Sequence, residues 1–129
     1  MAIEFSLAVP TLVTQDLEAT KTFYTKSLGF EVNYHDEASQ FFSVQRGEAF
    51  VHFGYAEVGV RSNRLIWGDG AKPADISFFV DDVRALHQEY FEKDVEILSP
   101  PTERPYGIIE MDVVDTNGYV LRFNEAVKQ

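Results

Sequence analysis

The chain has 129 residues, and 11 basic against 21 acidic side chains give it a formal net charge of −10 with its histidines neutral. This length predicts one domain, spanning residues 1–129, that can bury a true core without disulfides. The hydrophobic fraction of 45% excludes a disordered chain. The acidic balance argues against nucleic acid or an anionic membrane as a partner, because both require a basic surface. It leaves room for a cationic ligand.

The sequence also limits the chemistry and the location of the protein. With no cysteine, the chain has no disulfide, thiolate metal site or cysteine nucleophile. Ser43 and Ser77 have no histidine at a recognisable motif spacing, so a serine nucleophile is disfavoured. No apolar run approaches the roughly 18 residues of a membrane-spanning helix. Residues 1–5 lack the features of a signal peptide, so we expect a cytoplasmic protein.

Apolar periodicity divides the first half of the chain into a strand, a helix and three further strands. The nearly continuous apolar run at residues 5–13 predicts the first strand, and Thr14 or Asp16 can cap the helix that follows. Gly29 is a natural stop for this helix. The three further strands are predicted at residues 31–35, 41–45 and 49–55, the last two joined by a hairpin loop at 46–48.

An irregular stretch at residues 57–73 separates this half from a second half with the same order of elements. A strand is predicted at residues 75–80, and Asp81 or Asp82 can cap the next helix. The apolar side chains of that helix are Val83, Leu86, Tyr90 and Phe91. Three strands follow near residues 95–98, 108–114 and 119–124, the last two linked by the turn sequence Asp115-Thr116-Asn117-Gly118.

The two halves are related as an internal repeat. Asp16 precedes Asp82 by 82 − 16 = 66 residues, and Tyr24 precedes Tyr90 by the same offset. A half of roughly 60 residues closes a core poorly on its own. We therefore expect an α+β fold of two tandem βαβββ modules that form curved mixed sheets around a cleft. The modules are predicted at residues 1–57 and 74–129, with a linker at 58–73.

Several short motifs occur in the order and spacing of a known superfamily. They are Asp16-Leu17-Glu18-Ala19, Phe23-Tyr24, Leu28-Gly29-Phe30, Phe79-Val80-Asp81-Asp82-Val83, and Tyr106-Gly107 followed after seven residues by Asp115-Thr116-Asn117-Gly118. With the repeated βαβββ unit, they resemble the vicinal oxygen chelate superfamily, which includes glyoxalase I, extradiol dioxygenases and fosfomycin and bleomycin resistance proteins. The resemblance covers almost the whole chain. Patterns at residues 8–12 and 41–52 are most similar to the bleomycin resistance group.

The resemblance also implies where a metal ion would bind, because enzymes of this superfamily hold a divalent metal near the ends of each module. The matching positions are Val9, His52, Asp75 and Arg122. Val9 cannot be a ligand, and Arg122 places a permanent positive charge where the enzymes usually have glutamate. The resemblance thus implies that the metal is lost, that no cofactor is bound, and that an Asp75–Arg122 ion pair replaces it. A ligand recruited from Glu110 or Asp112 would instead preserve a metal site.

Strand alternation directs a set of aromatic and polar side chains toward the predicted cleft. Phe50 and His52 share one face of their strand, and Asp75 and Phe79 share one face of theirs. The predicted ligand-binding residues, none of them catalytic, are Phe41, Phe50, His52, Trp67, Asp75, Phe79, Tyr106, Glu110 and Arg122. Aromatic walls with acidic groups suit a flat, positively charged ligand.

These features lead to a hypothesis of a metal-independent binding protein that sequesters an aromatic or cationic small molecule, similar to bleomycin resistance proteins. The alternative is a metal-dependent lyase, isomerase or dioxygenase with a shifted ligand set. A third hypothesis is a structural or regulatory module whose cleft is filled by its own side chains. Proteins of the superfamily usually form homodimers, and unpaired sheet edges favour association, so we expect a homodimer.

Overall fold

The computed structural model describes residues 2–67 and 73–128, without the side chain of Trp67. The first half contains β1 (Thr11–Thr14), α1 (Leu17–Thr22) continued by a π-helical turn (Phe23–Ser27), β2 (Glu31–Asp36), β3 (Phe41–Arg46) and β4 (Ala49–Tyr55). The Asp16 carboxylate caps α1 by accepting a hydrogen bond from the backbone amide of Ala19. The helical segment is followed by Gly29, whose positive φ of 79° explains why glycine ends it.

The second half repeats this order after a short additional helix. It contains α2 (Asn63–Trp67), β5 (Ile76–Phe79), α3 (Val83–Glu92), β6 (Glu96–Arg104), β7 (Ile108–Val114) and β8 (Val120–Ala126). Asp82 caps α3 through the backbone amide of Ala85, as Asp16 caps α1. The two capping carboxylates therefore occupy equivalent positions of the repeat.

Each half forms one four-stranded mixed sheet with the same strand order. The orders are β1-β4-β3-β2 and β5-β8-β7-β6. In each sheet the first two strands in this order are parallel and the other neighbours are antiparallel. This confirms the prediction of an α+β fold built from two βαβββ units.

One hydrophobic core is shared by both sheets and by α1 and α3. Phe42 and Val44 of β3 belong to the same buried cluster as Phe78 of β5. Equivalent tyrosines cross between the halves: the Tyr24 hydroxyl donates to Asp115 at 2.7 Å, and the Tyr90 hydroxyl donates to the Leu28 carbonyl at 3.0 Å. Because these faces of the sheets are turned to the shared core, their opposite faces point away from it. We call those the outer faces.

Three local predictions differ from the structure, one of them being the strand expected near residues 95–98, which spans Glu96–Arg104. The first strand begins only at Thr11, and residues 2–10 have no regular structure, because their apolar run finds no neighbouring strand in the part of the chain that is described. The predicted irregular stretch contains α2. No helix in residues 2–67 and 73–128 is long and apolar enough to cross a membrane.

Candidate functional site

A groove runs between the two halves of the chain and has a volume of about 900 Å³. The turn between β3 and β4 forms one wall, and β5 with the first turns of α3 forms the other. Phe50 lines the first wall, while Phe78 and Phe79 line the second. Phe79 is 75% exposed, so its ring offers apolar surface directly at the groove. A groove of this size with aromatic walls can hold a small organic molecule.

Acidic side chains outnumber basic ones along the groove. Glu48, Asp81, Asp82 and Glu89 line it together with Arg46, so among the described lining residues four carboxylates oppose one guanidinium. Arg46 donates to both oxygens of Glu89, at 2.8 and 3.0 Å. The hydrogen bonds from Arg46 lower the pKa of the Glu89 carboxyl, which therefore remains ionised. The resulting negative field favours a cation over an anion.

The outer face of the first sheet carries three of the predicted ligand-binding residues, Phe41, Phe50 and His52. Phe41 and His52 lie edge to face, with ring centroids 5.2 Å apart, and Tyr34 lies 6.0 Å from Phe41 on the other side. The backbone amide of His52 donates to the Pro10 carbonyl at 2.9 Å, which fixes this part of β4 beside the chain that leads into β1.

The outer face of the second sheet carries ion pairs. Arg122 donates to both oxygens of Asp112, at 2.8 and 3.0 Å, and these side chains are only 16% and 8% exposed. The hydrogen bond to Asp112 raises the pKa of Arg122 above its ordinary value. Glu110 accepts from Arg104 at 3.0 Å, and Tyr106 is 65% exposed. The polar groups of this face thus largely bind one another.

The prediction of an Asp75–Arg122 ion pair is wrong, because each side chain has other partners. Asp75 accepts from the backbone amides of Asn63 at 2.8 Å and Val120 at 2.7 Å, one with each carboxylate oxygen. Asp75 immediately precedes β5, where the start of α2 and the start of β8 both present amide donors. Local backbone donors therefore take both oxygens, and Arg122 is paired with Asp112 across the β7–β8 ladder instead.

The side chains at the four implied metal positions do not fit a metal ion. His52 lies on the outer face of the first sheet, and the Asp75 oxygens are directed at backbone amides. The Glu110 carboxylate accepts a hydrogen bond from Arg104 at 3.0 Å. In the described part of the chain, no group of three or more histidine, aspartate or glutamate side chains is arranged to hold an ion.

The predicted site residues therefore fall into separate groups. Among the predicted residues whose side chains are described, Phe50 and Phe79 line the groove, and Phe50 shares the outer face of the first sheet with Phe41 and His52. Glu110 and Arg122 lie on the outer face of the second sheet. The side chain of Trp67 lies outside the described residues.

Sequence reasoning missed one juxtaposition that the hairpin register contains. With Arg46 opposite Ala49, counting back along both strands places Ser43 opposite His52. Motif spacing along the chain does not predict this pair. The short hairpin loop would have predicted it, because the loop length fixes which residues of the two strands lie opposite each other.

Comparison with known proteins agrees with this architecture. The family model of the Glyoxalase/Bleomycin resistance protein/Dioxygenase superfamily matches residues 6–123. No curated protein matches the sequence.

Among solved structures, the bleomycin-binding protein from bleomycin-producing Streptomyces verticillus, complexed with copper(II)-bleomycin, is 26% identical with a TM-score of 0.73. That match covers 99% of this chain and 100% of the other. A second bleomycin-binding protein, complexed with bleomycin, is 20% identical with a TM-score of 0.72, over 94% and 98% of the two chains. A glyoxalase/bleomycin resistance protein/dioxygenase from Nocardioides is 17% identical with a TM-score of 0.70, over 99% and 87%.

Proposed function

Because the chain belongs to the Glyoxalase/Bleomycin resistance protein/Dioxygenase superfamily, we propose that it sequesters an aromatic or cationic small molecule without using a metal ion. The observation that carries this proposal is the groove of about 900 Å³, with Phe50 and Phe79 on opposite walls and an excess of carboxylates. Affinity comes from burying flat apolar surface between the rings, and the acidic field attracts the positive charge.

Sequestration requires no reacting group. The strongly hydrogen-bonded carboxylates, Asp75 and Asp112, are held by backbone amides or by Arg122. Among similar structures, two proteins are bound to bleomycin or to its copper complex. A role in resistance to a toxic compound of this kind, in the cytoplasm, follows from the proposal.

We further propose that the working form is a homodimer. In the N-terminal arm, defined as residues 2–10, the alternating side chains of Ile3, Phe5 and Leu7 are 85%, 95% and 62% exposed. This is the period of a strand whose apolar face is left exposed by the described residues. Each sheet also has unpaired edge strands, β1 and β2 in one and β5 and β6 in the other. A second copy can cover both features.

Titration calorimetry with bleomycin and with a panel of planar aromatic cations tests the binding function. The Phe79→Ala variant is expected to bind at least roughly tenfold more weakly, because burial of a phenylalanine ring contributes on the order of 1.5–3 kcal/mol. Phe91→Ala is the matched control, since Phe91 is similarly exposed at 66% but does not line the groove. Fluorescence quenching of Trp67, the single tryptophan, gives an independent reading.

Two results would count against the proposal. Absence of binding to bleomycin and to every cation of the panel contradicts sequestration. Stoichiometric nickel, zinc, iron or manganese in the purified protein, measured by elemental analysis, instead favours a metal-dependent lyase, isomerase or dioxygenase.

A further inference from the structure

A row of four polar side chains crosses the outer face of the first sheet. Thr11 pairs with His52, His52 pairs with Ser43, and Ser43 pairs with Tyr34, so one member stands on each of the four strands. Directly paired residues share a face of the sheet. Because the residues on either side of Ser43, Phe42 and Val44, point into the core, the row points away from it. We call these four residues the polar row.

The hydroxyl of Ser43 is buried in this row without a partner. Ser43 is 2% exposed, and its Oγ atom makes no hydrogen bond. A buried hydroxyl normally has a partner, because leaving it unpaired costs stability. The imidazole of His52 stands directly across the ladder from it. The row therefore contains hydrogen-bonding capacity that the folded chain does not use.

The equivalent row of the second sheet lacks this unused capacity. There Ser77 pairs with Arg122, Arg122 with Asp112, and Asp112 with Ser99. The two central members, Arg122 and Asp112, satisfy each other through two hydrogen bonds. The repeat thus offers an internal comparison. At equivalent positions, an ion pair satisfies the polar side chains of the second sheet, whereas the Ser43 hydroxyl of the first sheet has no hydrogen-bond partner.

Aromatic rings flank the polar row on both sides. On one side the ring of Phe41 contacts the side chains of both His52 and Tyr34. On the other side Phe50, opposite Gln45 in the next rung, lies on the same outer face and also lines the groove. A planar ligand can therefore lie with apolar surface against the rings and one polar edge at Ser43 and His52.

We propose that Ser43 and His52 anchor the neutral amide group of an aromatic ligand. A hydroxyl and an imidazole each supply a donor and an acceptor, which matches the carbonyl and N–H of an amide. The polar row has no carboxylate, ammonium or guanidinium, so a charged ligand group would lose water without gaining an opposite charge. This inference rests on the proposed binding function and specifies which ligand group enters the first sheet.

Three naphthalene probes with the same ring and different polar groups test the anchor. They are naphthalene-2-carboxamide, naphthalene-2-carboxylate and (naphthalen-2-yl)methylammonium. With calorimetry, Ser43→Ala is expected to weaken binding of the carboxamide by about tenfold, the effect of one hydrogen bond of roughly 1.4 kcal/mol. Binding of the ammonium compound is expected to stay unchanged, because the acidic groove supplies its attraction. The same variant is expected to raise the thermal midpoint of the free protein.

Ser62→Ala is the matched control, because Ser62 is 1% exposed and its Oγ atom is likewise unpaired, but it is not part of the polar row. It is expected to raise the thermal midpoint and to leave carboxamide binding unchanged. His52→Asn, which keeps a donor and an acceptor, is expected to bind the carboxamide more tightly than His52→Leu.

The outcomes separate this proposal from the binding function itself. If Ser43→Ala binds the carboxamide as the wild type does, or weakens all three probes equally, the anchor is overturned. If only the ammonium compound binds the wild type, the anchor is overturned while binding of aromatic cations stands. If neither the probes nor bleomycin bind, both proposals fail.

Discussion

At the level of single residues, the buried pair Tyr24–Asp115 joins the two halves of the chain. The Tyr24 hydroxyl is 2.7 Å from the Asp115 carboxylate, which also accepts from the backbone amides of Asn117 and Tyr119. Burial raises the pKa of Asp115 above its ordinary value, and the hydrogen bonds oppose that shift. Burial and the nearby carboxylate raise the pKa of Tyr24, so its hydroxyl remains a donor. The pair thus forms a specific hydrogen bond between the two halves inside an otherwise apolar core.

The variant Tyr24→Phe is expected to destabilise the protein by about 1.5–3 kcal/mol at pH 7, because a buried charged acceptor loses a donor. The folded-state pKa of Asp115 exceeds its unfolded value, so the folded protein is penalised as pH rises through that interval. Removing the donor enlarges this penalty. The loss should therefore shrink near pH 3.5, because the carboxyl, with an ordinary pKa of 3.8, is mostly protonated in the unfolded chain there and more so in the folded protein. Urea unfolding at both pH values measures it.

Tyr55→Phe is the control for that experiment, since Tyr55 is 40% exposed. It is expected to change the free energy of unfolding little at either pH. A loss for Tyr24→Phe that is the same at pH 3.5 and pH 7 would show that the carboxylate is not the cause.

At the level of elements, the groove depends on a clasp between the β3–β4 hairpin and α3. Arg46 holds Glu89 on α3 and also donates to the Leu28 carbonyl at 2.9 Å. The guanidinium lies against Gly29, where a Cβ atom would be 2.8 Å from Nη1. Glycine at this position is favoured by its positive φ, and a side chain here would also displace the Arg46 guanidinium. The clasp fixes the wall that carries Phe50 relative to the wall that carries Phe79.

A double-mutant cycle with Arg46→Ala and Glu89→Ala measures the strength of this clasp. Because the two side chains are 40% and 38% exposed, solvent screens the pair, and a coupling free energy of about 0.5–1 kcal/mol is expected at pH 7. The pKa of Glu89 is lowered in the folded state, so its contribution is present above the unfolded pKa and is lost as pH falls through the folded value. Coupling that persists at pH 2.5 contradicts this assignment.

The internal repeat made most elements predictable. The strand at residues 49–55 and the strand at residues 108–114 have the predicted bounds, because each alternates and is bounded by turn residues. Asp16 and Asp82 cap helices as their positions indicate. The strand predicted at residues 5–13 was wrong over its first six residues for a physical reason. A nearly continuous apolar run predicts a strand, but a strand also needs a neighbour, and the described residues offer none there.

At the level of the whole molecule, the sequence predicts the two sheets but not which of their faces meet. The alternation of side chains along a strand predicts that Phe50 and His52 share one face of the first sheet. It places Phe79 on a face of the second sheet. The alternation does not predict that the core faces of both sheets contribute to one core, which leaves His52 and Arg122 on outer faces. The groove follows from this packing, so its acidic lining, Glu48 and Asp81 included, could be located only in three dimensions.

The same arrangement argues for self-association, since among the described residues four edge strands remain unpaired and the N-terminal arm remains exposed. Light scattering after size-exclusion chromatography is expected to give twice the mass of the chain. The double variant Phe5→Asp and Leu7→Asp is expected to be monomeric yet folded, because both side chains are exposed and contribute little to the fold of the single chain. Val58→Asp, at a position 74% exposed outside the arm, is the control and is expected to remain dimeric. A monomeric wild type contradicts the dimer, and a dimeric double variant would place the interface away from the arm.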